Sequence, residues 1–395
     1  MNSKKLLMIG WFFYPKLGGA ESLMLEQARF FVKAGFSVTV LTSLQDGLKP
    51  EEIFEGISII RRDFIDSRSD TTRAIAAEFP EILDRVSPSI IHCHNFSYPS
   101  AAVDKINGAN NILLMMKIAK ERNIRIIEHS HNAQLNRPDQ TEVLRNLGWD
   151  HIFFVSHFVE KAWLKLGFKS ESYSVVHNGI KLENFSNIEP DKQLLCSKGN
   201  NILIFFPARV ISMILGEISK QKNFILLLRA AEILVERNIL NFKIVAVMNT
   251  ALTNDSNTKG IDEVNRIIEK LNLRNYIEFL PNILPQKMPS FFSAVDIVCV
   301  PSIDETFGLV YLEAMASGKV AIASTTGGPQ EFINNNESGF LVDPFDASAL
   351  ADILEKLINN SLERNKIGEN AKIQAKNFSI ENSMGKIAKI YEELI

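Results

Sequence analysis

The sequence predicts an α/β protein made of two doubly wound halves. Short apolar runs alternate with amphipathic stretches from end to end, the sign of βαβ units and parallel sheets. That rhythm breaks between Asn184 and Asn200, where Ser, Asn, Glu, Pro, Asp and Lys dominate, and restarts at Ile202. At 395 residues the chain exceeds one ordinary core and fits two domains.

In the first half the predicted strands are Leu6–Phe13, Ser37–Thr42, Ile57–Arg61, Ile90–Cys93, Ile124–Glu128, His151–Val155 and Ser174–Val176. The stretch Glu21–Ala34 carries Leu23, Leu25, Ala28, Phe31 and Val32 on one helical face. In the second half, strands fall at Ile202–Phe206, Lys243–Val247, Ile277–Leu280, Ile297–Val300 and Val320–Ala323. Helices are expected near Phe224–Glu236, Ile261–Leu271 and Phe307–Ser317. The expected domains are 1–185 and 200–378, facing one another across a cleft, with residues 184–200 as the linker. The tail 379–395 has helical spacing in Met384, Ile387, Ile390 and Tyr391.

Composition sets bounds on function. Hydrophobic residues at 46% and charged residues at 23% describe a soluble globular chain, and a net charge of −3 gives no general drive toward nucleic acid. Cys93, Cys196 and Cys299 are scattered, which reads as reduced thiols in a cytosolic protein and supplies no metal cluster. The apolar run Leu6–Phe13 is short, ends in Tyr14-Pro15 and lacks a small-residue cleavage site, so it reads as a buried strand rather than a leader. No stretch approaches the ~18 apolar residues of a membrane span. Glycine-rich dinucleotide fingerprints, a Walker loop and an Asp-x-Asp metal motif are all missing.

One stretch is more informative than the rest. Glu305 and Glu313 are separated by seven residues in Pro301-Ser302-Ile303-Asp304-Glu305-Thr306-Phe307-Gly308-Leu309-Val310-Tyr311-Leu312-Glu313. The first glutamate follows a strand, and the second lies about two turns into the next helix. The amides of Phe307, Gly308 and Leu309 are expected at the helix N-terminus, where unpaired N–H groups bind anions. A carboxylate beside such a cradle suits a nucleotide sugar.

Taken with Gly18-Gly19-Ala20-Glu21, Val176-His177-Asn178-Gly179-Ile180 and Thr326-Gly327-Gly328-Pro329-Gln330-Glu331, this stretch resembles the retaining, metal-independent glycosyltransferases of the GT-B fold, family 4 (glycosyl transferases group 1). The resemblance runs over nearly the whole chain, with four motifs in the family's order. It implies an acceptor-binding first domain completed by a C-terminal helix that crosses back, and a second domain that binds the donor. It implies a hexosyltransferase that uses a UDP- or GDP-linked sugar as co-substrate, with no cofactor and no metal.

By the same resemblance Glu305 orients the donor sugar and Glu313 takes the ribose hydroxyls. Arg209 and Lys222, with Lys220 the alternative to the latter, offset charge on the leaving diphosphate. The segment Val210–Gln221 is longer than the family's usual connection, and Val247-Met248-Asn249-Thr250 replaces its usual glycine-rich turn. Gly18 and Gly19 come near the donor phosphates, His131 (or His129) contacts the sugar, and Asn178 faces the cleft near the hinge. A structural loop, a core histidine and a tight turn are the plain alternatives for these three.

His92 and His94 flank Cys93 and read as cleft-lining or core, since zinc would need ligands the local sequence does not supply. The acceptor is expected to be a sugar or lipid-linked molecule of surface-polysaccharide or glycolipid synthesis. Lys105, Lys117, Lys120, Arg122 and Arg125 offer a peripheral contact with anionic membrane at the cytoplasmic face, or simply a solvated helix face. The competing functions are a GT-B-like nucleotide-sugar epimerase or phosphorylase, or a degenerate subunit that binds a partner transferase. An epimerase needs no acceptor, a phosphorylase needs a pyridoxal-phosphate lysine, and a degenerate subunit has no need of both glutamates and the cations.

Overall fold

The computed structural model describes residues 4–15, 18–65, 71–96, 105–133, 147–168, 172–209, 221–247 and 255–395. The chain divides into two compact units, one of Met1–Gly179 with Ile380–Ile395 and one of Ile180–Ser379.

The first unit is built on an eight-stranded sheet of order β3-β4-β2-β1-β5-β6-β7-β8. In chain order the strands are β1 Lys5–Gly10, β2 Ser37–Ser43, β3 Glu51–Phe54, β4 Ile57–Arg62, β5 Ile90–His94, β6 Arg125–Ser130, β7 His151–Phe154 and β8 Tyr173–Val175. All neighbours run parallel except the edge hairpin β3–β4. Its two-residue loop holds Glu55 at φ 51° and Gly56 at φ 81°, the double positive φ that matches strand twist.

Leu6, Leu7 and Met8 are wholly buried, as expected of a strand covered on both faces. The Gly19–Lys33 helix lays Leu23, Leu25, Ala28 and Phe31 on this core. So does the Ile380–Leu394 helix, with Ile380, Met384, Ile387 and Tyr391. The winding reverses between β1 and β5, and ligands of such sheets gather at the carboxyl ends flanking that reversal.

The second unit has a six-stranded, all-parallel sheet of order β11-β10-β9-β12-β13-β14. Its strands are β9 Ile202–Arg209, β10 Phe242–Val247, β11 Ile277–Leu280, β12 Ile297–Cys299, β13 Val320–Ser324 and β14 Phe340–Val342. Pro207 lacks a ladder N–H, and the β9–β10 register slips there, Phe206 pairing with Ala246 and Arg209 with Val247. Here the reversal lies between β9 and β12.

Two expectations are corrected. The segment 184–200 is not a bare linker but part of the second unit, with a helix at Lys192–Lys198. Asp191 caps that helix by accepting the Leu194 amide at 2.9 Å. The helix expected from Phe307 begins at Leu309, because Gly308 stands at φ 89° and is its N-cap.

Candidate functional site

Each unit gathers its polar residues at strand carboxyl ends. In the second unit the loop after β12 carries Glu305, and the turn ahead of the Phe224–Glu236 helix carries Lys222. The two segments are tied by the Ile303 amide donating to the Gln221 carbonyl at 2.6 Å and by Gln221 Nε2 donating to the Asp304 carbonyl at 3.2 Å. Lys222 Nζ then meets Glu305 Oε2 at 2.5 Å, closing a contact between residues 83 apart in sequence. Ser302 Oγ donates to the same oxygen at 3.2 Å, and Tyr311 OH, buried behind it, donates to the Val300 carbonyl at 2.5 Å. Glu305 is 7% exposed, and its Oε1 takes no hydrogen bond from the described residues.

The backbone around Glu305 is clamped by glycines. Gly327 stands at φ 90° and pairs with Glu305 in a short parallel bridge, and the Gly328 amide donates to the Glu305 carbonyl at 2.7 Å. A Cβ on Gly327 would lie 2.2 Å from the Glu305 carbonyl oxygen, and one on Gly328 would lie 2.4 Å from that of Thr306. These glycines therefore make their close approach to the protein's own Glu305 loop. The turn they open is a 3-10 helix over Gly328–Glu331.

The Leu309–Ala316 helix starts just beyond. Tyr311 turns its amide back to the Gly308 carbonyl at 3.1 Å, so the anion-binding end is formed by the amides of Leu309 and Val310. Phe307, whose amide the sequence reading placed there, precedes the Gly308 N-cap, and its ring is buried 5.1 Å from that of Phe332. Glu313 lies on this helix, half-buried, and its carboxyl accepts no hydrogen bond from the described residues. The protein around it excludes enough water to push it up to about 7. Arg209 ends β9 by its backbone, while its side chain, Lys220 and residues 210–220 and 248–250 lie outside the described residues.

In the first unit Gly18 is the N-cap of the Gly19–Lys33 helix, and its amide donates to Glu21 Oε2 at 3.0 Å. A Cβ at Gly18 would lie 2.5 Å from that oxygen, whereas one at Gly19 would meet nothing within 4 Å. Asn178, 6% exposed after β8, has a buried side-chain oxygen with no partner.

Four imidazoles stand together across β5 and β6. His92, His94, His129 and His131 have ring centroids 4.6–5.4 Å apart, and all four are buried. Desolvation drives each pKa down, to about 4 for His131, so the rings are neutral at physiological pH. His131 is the most exposed of them at 8%, and its amide is held by Asn95 Oδ1 at 2.8 Å. His129, the alternative sugar contact, is 1% exposed. The sequence reading found no further ligand for a His92–His94 pair; the neighbouring strand supplies one, His129, and one ring nitrogen from each lies within 4.8 Å of the others.

Of the five cations read as a membrane face, Lys105 has a side chain outside the described residues, and three of the other four are held by the protein. Lys120 Nζ donates to the carbonyls of Leu147 and Gly148, Arg122 to Asp84, and Arg125 to Asp150. No helix among the described residues is long and apolar enough to cross a membrane.

Two wound sheets, each with polar groups collected at its reversal, define a doubly wound α/β protein of two units. Residues 203–374 match the family model Glycosyl transferases group 1, residues 17–184 match Glycosyltransferase Family 4, and the chain belongs to this glycosyltransferase family. It is 34% identical over 189 residues to D-inositol 3-phosphate glycosyltransferase of Corynebacterium jeikeium, 48% of this chain and 44% of that one. It is 29% identical over 247 residues to the enzyme of the same name from Corynebacterium urealyticum, 62% of this chain and 57% of that one. These matches span about half the length of the curated relatives.

The fold is GT-B. A glycosyltransferase from Rickettsia africae superposes with a TM-score of 0.77 at 22% identity, covering 100% of this chain and 99% of that one. HepE of Anabaena in complex with UDP superposes with a TM-score of 0.76 at 17% identity, covering 98% of this chain and 100% of that one.

Proposed function

We propose that the protein is a retaining hexosyltransferase that moves a sugar from a nucleoside diphosphate sugar, UDP- or GDP-linked, to a sugar or lipid-linked acceptor, without a metal at the transfer centre. The observation that carries this reading is the Lys222–Glu305 pair fixed beside the Leu309 helix end, with Glu313, which has no hydrogen-bond partner among the described residues, within the same helix. Glu313 accepts the two ribose hydroxyls, which give its half-buried carboxyl hydrogen bonds that the described residues do not supply. Lys222, Arg209 and the Leu309 and Val310 amides hold the diphosphate, and Glu305 Oε1 accepts a hydroxyl of the donor sugar.

In the reaction the bond from the anomeric carbon to the diphosphate oxygen breaks. The acceptor oxygen attacks from the same face, and its proton passes to the departing phosphate. Lys222 is already paired with Glu305, so a bound diphosphate shares the ammonium rather than desolvating a free one. His131 and Asn178, with Gly18 and Gly19, are the first unit's contribution to binding sugar and acceptor. HepE was crystallised with UDP and glucose, which favours UDP as the first nucleotide to try. Synthesis of surface polysaccharide or glycolipid is the setting this acceptor class fits.

The test is thermal unfolding with UDP, GDP or ADP and their glucose or mannose conjugates, chelator present, on wild type and Glu313→Ala. Ligand at 100 times its Kd adds about 2.7 kcal/mol, a rise of several degrees. Stabilisation by one nucleotide class, lost in the variant, is the expected result. If no nucleotide stabilises the wild type, the donor-site assignment is wrong. Glu305→Gln should keep the melting temperature and abolish transfer; unchanged turnover would remove Glu305 from the mechanism.

A further inference from the structure

We infer that His92, His94 and His129 form a transition-metal site of the zinc class inside the first unit, a role separate from the donor chemistry proposed above. β5 and β6 run parallel with His94 opposite His129, and His92 lies two residues before His94 on the same face. The alternating Cys93 and Glu128 belong to the other face, which leaves an all-imidazole donor set on this one. Imidazole is a ligand of zinc, copper and nickel.

The hydrogen bonds divide the ring nitrogens in the way a metal site requires. His92 Nδ1 lies within hydrogen-bond reach of the Tyr391 hydroxyl and of the Gln27 side-chain amide. With Nδ1–H donating to the Tyr391 oxygen and the Gln27 amide turned so that its otherwise unpartnered Oε1 faces the ring, His92 Nε2 keeps its lone pair, buried and without a partner among the described residues. His94 Nδ1 is taken by His131 Nε2 at 3.1 Å, which leaves His94 Nε2 in the same state. Metal-bound histidines are held in this manner, one nitrogen fixed by an outer partner and the other directed at the ion. On His129 neither ring nitrogen has a partner among the described residues, although the residue is only 1% exposed.

Buried polar atoms without partners are rare, because each gives up its bond to water for nothing. Four such atoms on three adjoining rings call for a common partner, and a single cation bound by three of them satisfies one on each ring. A zinc–nitrogen bond of about 2.0–2.1 Å puts tetrahedral ligand nitrogens about 3.4 Å apart. Ring nitrogens within 4.8 Å need to draw together by at most about 1.4 Å to reach that spacing. The ion would join β5 to β6 and, through His92 and Tyr391, stiffen the seat of the Ile380–Leu394 helix.

The test uses the full chain, produced in zinc-supplemented medium because a site this enclosed fills as the protein folds. Zinc is counted by elemental analysis in wild type, His94→Leu, His129→Phe and His157→Gln. His157 is exposed beside Glu160 and controls for surface binding. The expectation is about one zinc per chain in wild type and His157→Gln, and at least a tenfold loss in the two buried variants. X-ray absorption at the zinc edge of the wild type should show imidazole scattering, a readout independent of whether the variants fold. Metal-free wild-type protein, zinc retained in both buried variants, or an absorption spectrum without imidazole overturns the assignment.

Discussion

Replacing Glu313 by glutamine should stabilise the second unit, and by an amount that grows with pH. The carboxyl is pushed up from 4.5 to about 7 because the surrounding protein excludes water. An unfolded chain releases this proton near 4.5, whereas the folded protein keeps it until about 7. Between these values the folded state binds the extra proton, so stability falls as pH rises through the window. Below it both states are protonated and the burden is gone; above it the whole burden is carried.

The displacement corresponds to roughly 3 kcal/mol, which partial exposure reduces to roughly 1–3 kcal/mol. Glutamine keeps the shape and cannot ionise. Glu313→Gln should therefore match wild type near pH 4.5 and exceed it at pH 8 by roughly 1–3 kcal/mol, several degrees in a unit of about 200 residues. Thermal unfolding from pH 4.5 to 8 reads this directly. A difference that is flat with pH, or a variant less stable than wild type at pH 8, would refute the desolvation argument. The same variant should lose nucleotide affinity, so stability and binding move in opposite directions, as they do for a group strained in order to serve a ligand.

Three further perturbations follow from the geometry. Gly327→Ala places a Cβ 2.2 Å from the Glu305 carbonyl oxygen at φ 90°, and should cost roughly 2–5 kcal/mol in urea unfolding; wild-type stability would show that the loop is not clamped there. Lys222→Met should lower kcat by roughly 10²–10³-fold, with the folded state retained by circular dichroism; a kcat within about twofold of wild type would exclude Lys222 from the transfer step. Tyr391→Phe keeps the ring on Phe31 but loses the hydroxyl on His92, and should cost about 1–2 kcal/mol, against roughly 3–5 kcal/mol for Tyr391→Ala. Equal unfolding curves for Tyr391→Phe and wild type would rule out that hydrogen bond.

Glu305 and Glu313 were legible because a strand, an acidic turn and a helix follow one another within a short stretch of sequence. What could not be read there is which distant residue completes the site. The Ile303–Gln221 backbone bond that brings Lys222 to Glu305 depends on β9 and β12 being neighbours, a fact of strand order. The β3–β4 hairpin was missed because its turn is Glu55-Gly56, a pair without the usual asparagine or aspartate signal. The Lys192–Lys198 helix was readable from Asp191 and the pattern of a capped start, but polar composition suggested a linker.

Gly308 looked like an ordinary helix residue because φ is not written in the sequence, so the helix was begun too early. The histidines were visible as two His-x-His pairs, at 92–94 and 129–131, each placing both rings on one strand face. Their meeting required the β5–β6 register, which only the folded sheet supplies.

The seat of Tyr391 carries a consequence for how the protein is made. Its hydroxyl reaches His92 across 299 residues of sequence, and its ring belongs to the core beneath β1 and β5. A ribosome adding about 5–20 residues each second needs roughly 15–60 s to span that interval. Throughout that time Phe31, Leu6 and Met8 lack the helix that covers them, while Ile180–Ser379 is synthesised and is complete before that helix emerges. The half of the molecule begun first is the half completed last, and it is the one exposed to chaperones and to aggregation during synthesis.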